Sequence, residues 1–259
     1  MIFNGSSRSE PRQSPQGADA GSTQAGLLGA SRRGVRALRT AHREALAFAR
    51  QAALLHRDVR PSLPGAVHDG EDVVVLLHGL FATAGVLRPL RERVEQEARA
   101  HTASYTYEPG PGVQTLAKRL GVLLGRLPEQ ARIHLVGHSM GGLVARFYVQ
   151  EHHDPRVAQT ISMATPFGGT LSARWMPARA GRDILPGSPV LERLSRGYQH
   201  SGVPHLSIVA ADDQVVPLST PLPPGEQVVV HECGHNALLF HETAMQQVVA
   251  RLRAFIARE

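Results

Sequence analysis

The sequence predicts an α/β fold in which helices cover both faces of a mostly parallel β-sheet. Short continuous apolar runs, such as residues 72–77 and 157–163, are typical of strands that are buried on both faces. Helical patterns of about 10–18 residues separate these runs, and this alternation is characteristic of parallel sheets. Because ligands bind beyond the carboxyl ends of such strands, the loops that follow the strands are where a functional site is expected.

The composition is that of a globular protein. The chain has 259 residues, of which 42% are hydrophobic. No apolar run approaches the roughly 20 residues of a membrane-spanning helix, and the first residues lack the apolar stretch of a secretory signal. We therefore expect a cytoplasmic protein. Cys233 is the only cysteine, which excludes an intrachain disulfide.

The positive charge is concentrated at the N-terminus. The net charge is +6, and residues 1–60 carry ten arginines against four acidic residues. The rest of the chain is electrically balanced, so no nucleic-acid partner is expected.

Three regions are predicted along the chain. Residues 1–26, rich in Ser, Gly, Pro and Gln, are expected to be a disordered tail. Residues 27–65 are expected to form an arginine-rich helical extension, and residues 66–259 the α/β domain, with a short lid over residues 171–202.

The extension shows helical periodicity over residues 30–58. Arginines share one side of this helix: Arg32, Arg36, Arg39, Arg43, Arg50 and Arg57. Apolar residues cover the other: Val35, Leu38, Ala45, Leu46, Ala49 and Ala53. Either the apolar side packs on the domain and leaves the arginines in solvent, or the arginines meet an anionic membrane surface or another protein.

Within the α/β domain the pattern predicts strands and helices in alternation. The predicted strands are 72–77, 102–107, 133–136, 157–163, 205–211 and 227–230. The predicted helices are 85–100, 114–127, 141–151 and 237–256.

The stretch Gly137-His138-Ser139-Met140-Gly141 joins a predicted strand directly to a predicted helix. The spacing G-x-S-x-G is that of a nucleophile elbow, a turn so tight that only small residues fit on either side of the serine. Such a turn exposes the serine hydroxyl and directs N–H groups of the new helix towards an oxyanion.

A nucleophilic serine needs a histidine base, which in turn needs an acid to hold its tautomer. With this elbow the expected chain order is serine, acid, histidine. Ser139 is followed by Asp213 after one strand and by His235 after the last. Asp213 is the preferred acid because D-x-V-V-P places it at the turn, and Asp212 is the alternative.

His78-Gly79-Leu80 follows the first strand of the domain. A glycine there lets the chain fold back, so we expect the backbone N–H groups of Leu80 and Met140 to form an oxyanion hole. His78 is expected to orient this loop rather than to transfer protons.

These segments resemble the lipase and esterase group of α/β-hydrolases. The similarity rests on Leu-Leu-His78-Gly79-Leu80, the segment 137–146, Ala164-Thr165-Pro166-Phe167-Gly168-Gly169-Thr170, and the Asp213 and His235 turns. It covers about residues 70–257 and is nearest to glycosylphosphatidylinositol-inositol deacylases and bacterial triacylglycerol lipases.

The resemblance implies ester hydrolysis through an acyl-enzyme, with Ser139, Asp213 and His235 as the triad. An acyl or lipid-like ester substrate is expected, without a cofactor or a metal. An acyltransferase that uses the same serine is the alternative. Residues that could line an apolar substrate site are Phe81, Phe167, Leu171, Trp175 and Met176.

The segment His231-Glu232-Cys233-Gly234-His235 fits a rival motif, H-E-x-x-H, in which two histidines on one helix face bind zinc. A zinc peptidase is thus a remote alternative. The preceding residues resemble a strand, and Gly234 is poor in a helix interior, so a loop that delivers His235 is the preferred interpretation.

Overall fold

The computed structural model describes residues 20–176, 178–198 and 201–257, and side chains within the first helix from Gly34 onwards. The chain divides into two compact units, residues 1–38 and residues 39–259. In the first unit, the described residues form one continuous stretch of helix. The second unit contains the sheet and the candidate active site.

A six-stranded sheet, parallel throughout, forms the centre of the second unit, and it confirms the predicted fold class. The strand order is β2-β1-β3-β4-β5-β6. The strands are β1 Asp72–Leu77, β2 His101–Tyr105, β3 Arg132–His138, β4 Val157–Met163, β5 His205–Ala210 and β6 Glu226–Val230. All six match predicted strands to within a few residues.

Helices of the second unit pack on both faces of the sheet. The helices in the described part of the chain are α1 Ala20–Leu54, α2 Arg88–Arg93, α3 Val113–Leu124, α4 Met140–His152, α5 Ala178–Asp183, α6 Pro189–Gly197 and α7 Glu242–Ile256. Strand β1 shows how two cores arise, because successive side chains point to opposite faces of a sheet. Val73, Val75 and Leu77 join the core formed with α3 and α4. Val74 and Leu76 join the core formed with α2 and α7.

Two predicted helices are less regular than their periodicity suggests. The segment predicted as one helix over 85–100 consists of a 3-10 turn Ala84–Leu87, α2, and a π-helical turn Val94–Ala98. The last predicted helix is divided at His241, whose backbone is extended, into a 3-10 turn Ala237–Phe240 and α7. The predicted lid region contains a 3-10 turn Leu171–Trp175, α5 and α6.

The arginine-rich extension differs from its prediction in two ways. Helix α1 begins at Ala20, so residues 20–26 are helical rather than disordered, while residues 1–19 of the predicted tail lie outside the described residues. Residues 39–65 belong to the same compact unit as the sheet, so the boundary falls at Leu38 instead of residue 65.

The prediction of which α1 face packs on the domain was wrong. Of the residues expected to pack, all six are exposed: Val35, Leu38, Ala45, Leu46, Ala49 and Ala53. The buried or half-buried stripe is instead Thr40, Glu44, Ala47, Gln51 and Leu54, at the i, i+4 and i+7 spacing of one helix face. Hydrophobic periodicity misses this face because its contacts are mainly hydrogen bonds.

The five arginines of this side whose side chains the structure describes are exposed as predicted: Arg36, Arg39, Arg43, Arg50 and Arg57. Arg43 also bonds to Glu232. The side chain of Arg32 lies outside the described residues. Their contact with an anionic membrane stays a prediction. Among the described residues, no helix combines the length and apolarity needed to cross a bilayer.

The C-terminal end of α1 is fastened to the loop after β1. The Thr83 hydroxyl donates to the carbonyl oxygens of Leu55 (3.1 Å) and Arg57 (2.9 Å). A Cβ on Gly85 would lie 2.7 Å from the Arg57 carbonyl oxygen and would overlap the Leu54 carbonyl oxygen. Glycine at position 85 is therefore required by this close approach.

We expect Gly85→Ala to lower the free energy of unfolding by about 1–3 kcal/mol, because the added methyl must push the end of α1 away. Denaturant unfolding measures the change. Gly65→Ala is the matched control, since a Cβ at Gly65 meets nothing within 4 Å. Equal stability of the two variants would contradict this packing.

Candidate active site

Ser139 lies in a strained turn between β3 and α4. Its backbone angles are φ 52° and ψ −123°, a left-handed conformation that is unfavourable for any residue with a side chain. Its N–H donates to the carbonyl oxygen of Met163 at 2.8 Å, which ties the turn to the end of β4. The strain is thus held by the neighbouring strand.

The small residues around Ser139 are required by close backbone contacts. A Cβ on Gly137 would overlap the backbone of Gly141. A Cβ on Gly141 would lie 2.6 Å from the carbonyl oxygen of His78 and still closer to that of Leu77. Glycines 137 and 141 therefore let β3 turn into α4 while β1 passes alongside.

The structure brings Ser139, His235 and Asp213 together at the carboxyl ends of three different strands. His235 Nδ1 lies 2.9 Å from Asp213 Oδ2, and His235 Nε2 lies 3.1 Å from Ser139 Oγ. A carboxylate can only accept, so Nδ1–H is the donor to Asp213, and Nε2 accepts from the serine hydroxyl. This is the tautomer that a general base for Ser139 requires.

Asp213, not Asp212, faces the histidine. The second oxygen of Asp213, Oδ1, accepts hydrogen bonds from the N–H groups of Val215 (2.7 Å) and Val216 (2.8 Å). The carboxylate is therefore buried with both oxygens bonded, which fixes its orientation. The Asp212 N–H donates to the Cys233 carbonyl oxygen at 3.1 Å, which holds the acid loop against the histidine loop.

The loop His78-Gly79-Leu80 lies directly against Ser139. A Cβ on Gly79 would be 3.1 Å from the Ser139 Cβ. Met140 begins α4, so its N–H is among the first helix donors without an intrahelical partner. Leu80 also lines the cavity beside Ser139. The residues expected to form the oxyanion hole therefore flank the serine.

His78 is held by bonds on both ring nitrogens. Its Nε2 accepts from the Tyr107 N–H at 3.1 Å, so Nδ1–H donates to the Gly79 carbonyl oxygen at 2.6 Å. The Tyr107 hydroxyl donates to the His78 carbonyl oxygen, and the two rings stack at 4.1 Å between centroids. Burial lowers the pKa of His78 to about 4, which keeps the ring neutral. These contacts suit a residue that orients the loop.

His138 is hydrogen-bonded to the backbone of His235. Its Nε2 donates to the His235 carbonyl oxygen at 3.2 Å, and the two ring centroids are 5.1 Å apart. Burial, reinforced by the proximity of His235, lowers the pKa of His138 to about 3. A neutral His138 therefore places no positive charge beside His235.

A cavity of about 330 Å³ opens onto Ser139 and His235, and its walls are mostly apolar. Two of the five residues predicted to line it do so, Phe81 and Met176. Helix α1 and the residue after it supply a wall that the sequence pattern did not predict: Phe48, Gln51, Ala52 and Leu55. The sequence signal for this wall is the apolar character of Phe48, Ala52 and Leu55, which lie in or just after an arginine-rich helix.

The other three predicted lining residues lie elsewhere. Phe167 is buried in the core, where its ring meets those of Tyr198 and His205 edge to face. Leu171 and Trp175 are 66% and 87% exposed, since their 3-10 turn buries Ala173 instead. None of the three is among the residues that line the cavity.

The structure does not support the zinc interpretation of residues 231–235. Strand β6 ends at Val230, and the following residues form a turn in which Glu232 has φ 50°. His231 and His235 therefore share no helix face, and His235 is bonded to Ser139 and Asp213. No group of three or more His, Cys, Asp and Glu suited to a metal occurs in the described part of the chain.

Known proteins share this architecture. Residues 113–173 match the family described as a PGAP1-like alpha/beta domain. No curated protein matches the chain in sequence. Among solved structures, the monoacylglycerol lipase of Paleococcus ferrophilus is similar with a TM-score of 0.62 at 16% identity, covering 76% of this chain and 98% of the lipase.

Two further structures have the same fold. A mature lipase of Bacillus licheniformis has a TM-score of 0.60 at 14% identity, covering 76% of this chain and 99% of the lipase. A thermophilic esterase of Thermogutta terrifontis has a TM-score of 0.55 at 17% identity, covering 76% of this chain and 94% of the esterase. The chain therefore has the α/β-hydrolase fold. The resemblance to lipases and esterases, including the PGAP1-like domain, is confirmed.

The buried neutral histidines predict a loss of stability in acid. Burial lowers the pKa of His78 to about 4 and those of His138 and His205 to about 3, whereas an unfolded histidine has a pKa near 6.5. Below pH 6.5 the unfolded chain binds more protons, so the free energy of unfolding falls as the pH falls. The slope is up to about 1.4 kcal/mol per pH unit for each histidine, down to its folded pKa.

Urea unfolding at pH 7 and pH 5 tests the loss of stability. The imidazole proton resonances of His78, His138 and His205 show whether these residues cause the loss, because they should not titrate in the folded protein between pH 7 and pH 5. The same protein in concentrated urea is the control, where they should titrate near pH 6.5. Folded-state titration of all three above pH 5 would contradict the burial argument.

Proposed function

We propose that this protein is a serine carboxylester hydrolase that cleaves acyl or lipid-like esters. The observation that carries the proposal is the pair of hydrogen bonds that link Ser139 Oγ to His235 and His235 to Asp213. Ser139 and His235 also line a mostly apolar cavity. A hydroxyl activated in this way attacks carbonyl carbon, and apolar walls suit the hydrocarbon part of an acyl ester.

In the proposed mechanism, Ser139 attacks the ester carbonyl while His235 Nε2 accepts the serine proton. Asp213 stabilises the imidazolium that forms, and the N–H groups of Leu80 and Met140 stabilise the oxyanion. His235 then protonates the leaving alcohol, which leaves an acyl group on Ser139. Water, activated by His235, attacks the acyl group and releases the acid.

The nature of the second nucleophile separates hydrolysis from acyl transfer. Both reactions share the acyl-enzyme, and they differ in whether water or an alcohol reaches the acyl carbonyl. Hydrolysis is the proposal because Ser139 is only half-buried and the cavity beside it is not fully enclosed, so water can reach the acyl carbonyl. Analysis of products formed in the presence of glycerol distinguishes free acid from a new ester.

We expect Ser139→Ala to reduce the hydrolysis of p-nitrophenyl butyrate by at least about 10⁴-fold in kcat, because no other group replaces the nucleophile. Release of p-nitrophenol measures the rate. Ser195→Ala is the matched control, since Ser195 is an exposed residue of α6 whose hydroxyl bonds only locally to the Glu192 carbonyl oxygen. Activity that survives Ser139→Ala would refute the proposed function.

Because Ala52 of α1 lines the cavity, we expect a substitution there to change the acyl chain length that the enzyme prefers. A larger side chain at position 52 would fill part of the cavity, so Ala52→Phe should shift the preference towards shorter acyl chains. A p-nitrophenyl ester series from acetate to decanoate measures the shift as a ratio of kcat/KM values. We expect about a tenfold change, the usual effect of one methylene or two in an apolar pocket.

Ala49→Phe provides the control for this substitution. Ala49 is exposed on the same helix but does not line the cavity. An unchanged chain-length profile for Ala52→Phe, or the same change in both variants, would place acyl binding elsewhere.

A further inference from the structure

Helix α1 reaches the proposed catalytic histidine through one carboxylate. Glu44 Oε1 accepts hydrogen bonds from the Asn236 N–H (2.8 Å) and from Asn236 Nδ2 (2.7 Å). Glu44 Oε2 accepts from the Ala237 N–H at 3.0 Å. The carboxylate thus binds the two peptide N–H groups that directly follow His235.

Among the described residues, the backbone hydrogen bonds include no other acceptor for these N–H groups. Ala237 begins the 3-10 turn Ala237–Phe240, so the first N–H groups of the turn lack an internal acceptor. Asn236 precedes the turn but does not cap it with its own side chain. Its amide is instead engaged by Glu44 and by Gln51, whose Nε2 donates to Asn236 Oδ1 at 2.7 Å.

The contact is close as well as polar. A Cβ on Gly234 would lie 2.6 Å from Glu44 Oε2, so the carboxylate sits directly against the backbone before His235. Two residues before Gly234, the Glu232 carbonyl oxygen accepts a hydrogen bond from Arg43 Nη1 at 2.7 Å. Helix α1 therefore contacts the histidine loop on both sides of His235.

The opposite side of His235 is held by the nucleophile loop. His138 donates to the His235 carbonyl oxygen, while Glu44 holds the next two N–H groups. The backbone of His235 is thus clamped between the residue beside Ser139 and a residue of α1. Its imidazole reaches Ser139 at 3.1 Å from that clamped position.

We propose that Glu44 is a positioning residue that holds His235 over Ser139, so that α1 is a working part of the active site. This inference rests on the proposed serine hydrolase function. Charged acceptors form stronger hydrogen bonds than neutral ones, so a carboxylate suits this task better than an amide. A displacement of a catalytic group by about 1 Å is enough to cost about 100-fold in rate.

The test is the Glu44→Gln variant, which preserves the shape but replaces one acceptor oxygen by an NH₂ donor that faces N–H donors. We expect kcat for p-nitrophenyl butyrate to fall about 10- to 100-fold with KM within about twofold of the wild-type value. The downfield resonance of the His235 Nδ1 proton should broaden or move. Glu44→Asp, which keeps the charge, should recover part of kcat.

Asp58→Asn is the matched control. Asp58 is also a carboxylate that ties the end of α1 to the domain, through Arg88 Nε at 2.9 Å, but it does not contact the histidine loop. We expect Asp58→Asn to lower stability while leaving kcat and the His235 proton resonance unchanged.

Two results would overturn the proposal. One is an unchanged kcat in Glu44→Gln. The other is a loss of kcat in Glu44→Gln that Asp58→Asn reproduces at equal stability, with the same His235 resonance in both. If Glu44→Gln does not fold, Glu44→Ala removes the carboxylate without introducing an NH₂ donor, and unchanged kcat in that variant would overturn the proposal equally. Failure of the hydrolase function itself is separate, because it appears as activity in Ser139→Ala.

Discussion

The left-handed turn at Ser139 is the constraint on which the rest of the site depends. A non-glycine residue adopts φ 52° only when its surroundings hold it there. Here the hold comes from the end of β4, through the Met163 carbonyl oxygen, and from the close passage of β1 behind Gly141. The parallel sheet thus does more than support the site, since two of its strands keep the turn that exposes Ser139.

The groups around that turn are linked to one another by buried hydrogen bonds. His78 connects the loop after β1 to Tyr107, and His138 connects the elbow to the His235 backbone. Both histidines are kept neutral by burial, so they act as uncharged connectors. Fixed neutral groups of this kind let the positive charge of the proposed reaction develop on His235 without a neighbouring cation, in a site that need not reorganise.

Much of this arrangement could be predicted from the sequence, because its parts have local signals. The strand runs and the G-x-S-x-G spacing depend on neighbouring residues, and they predict β3, the elbow and α4 closely. The face of α1 could not be predicted in this way. Glu44 and Gln51 bury polar groups whose partners lie about 190 residues away, and a hydrophobic pattern gives no sign of such contacts. Phe167, Leu171 and Trp175 fail as lining residues for a related reason, since only the folded loop determines which side of a short turn is buried.

The central claim is that Ser139 carries the acyl group during turnover. Mass spectrometry of the protein quenched in acid during turnover of a p-nitrophenyl ester tests this directly, followed by proteolysis to locate the adduct. We expect a mass increase of one acyl group on the peptide that contains Ser139, and no adduct when His235 is replaced by alanine. An adduct on another residue would contradict the claim, as would release of p-nitrophenol without any adduct on Ser139 under conditions where deacylation is slow.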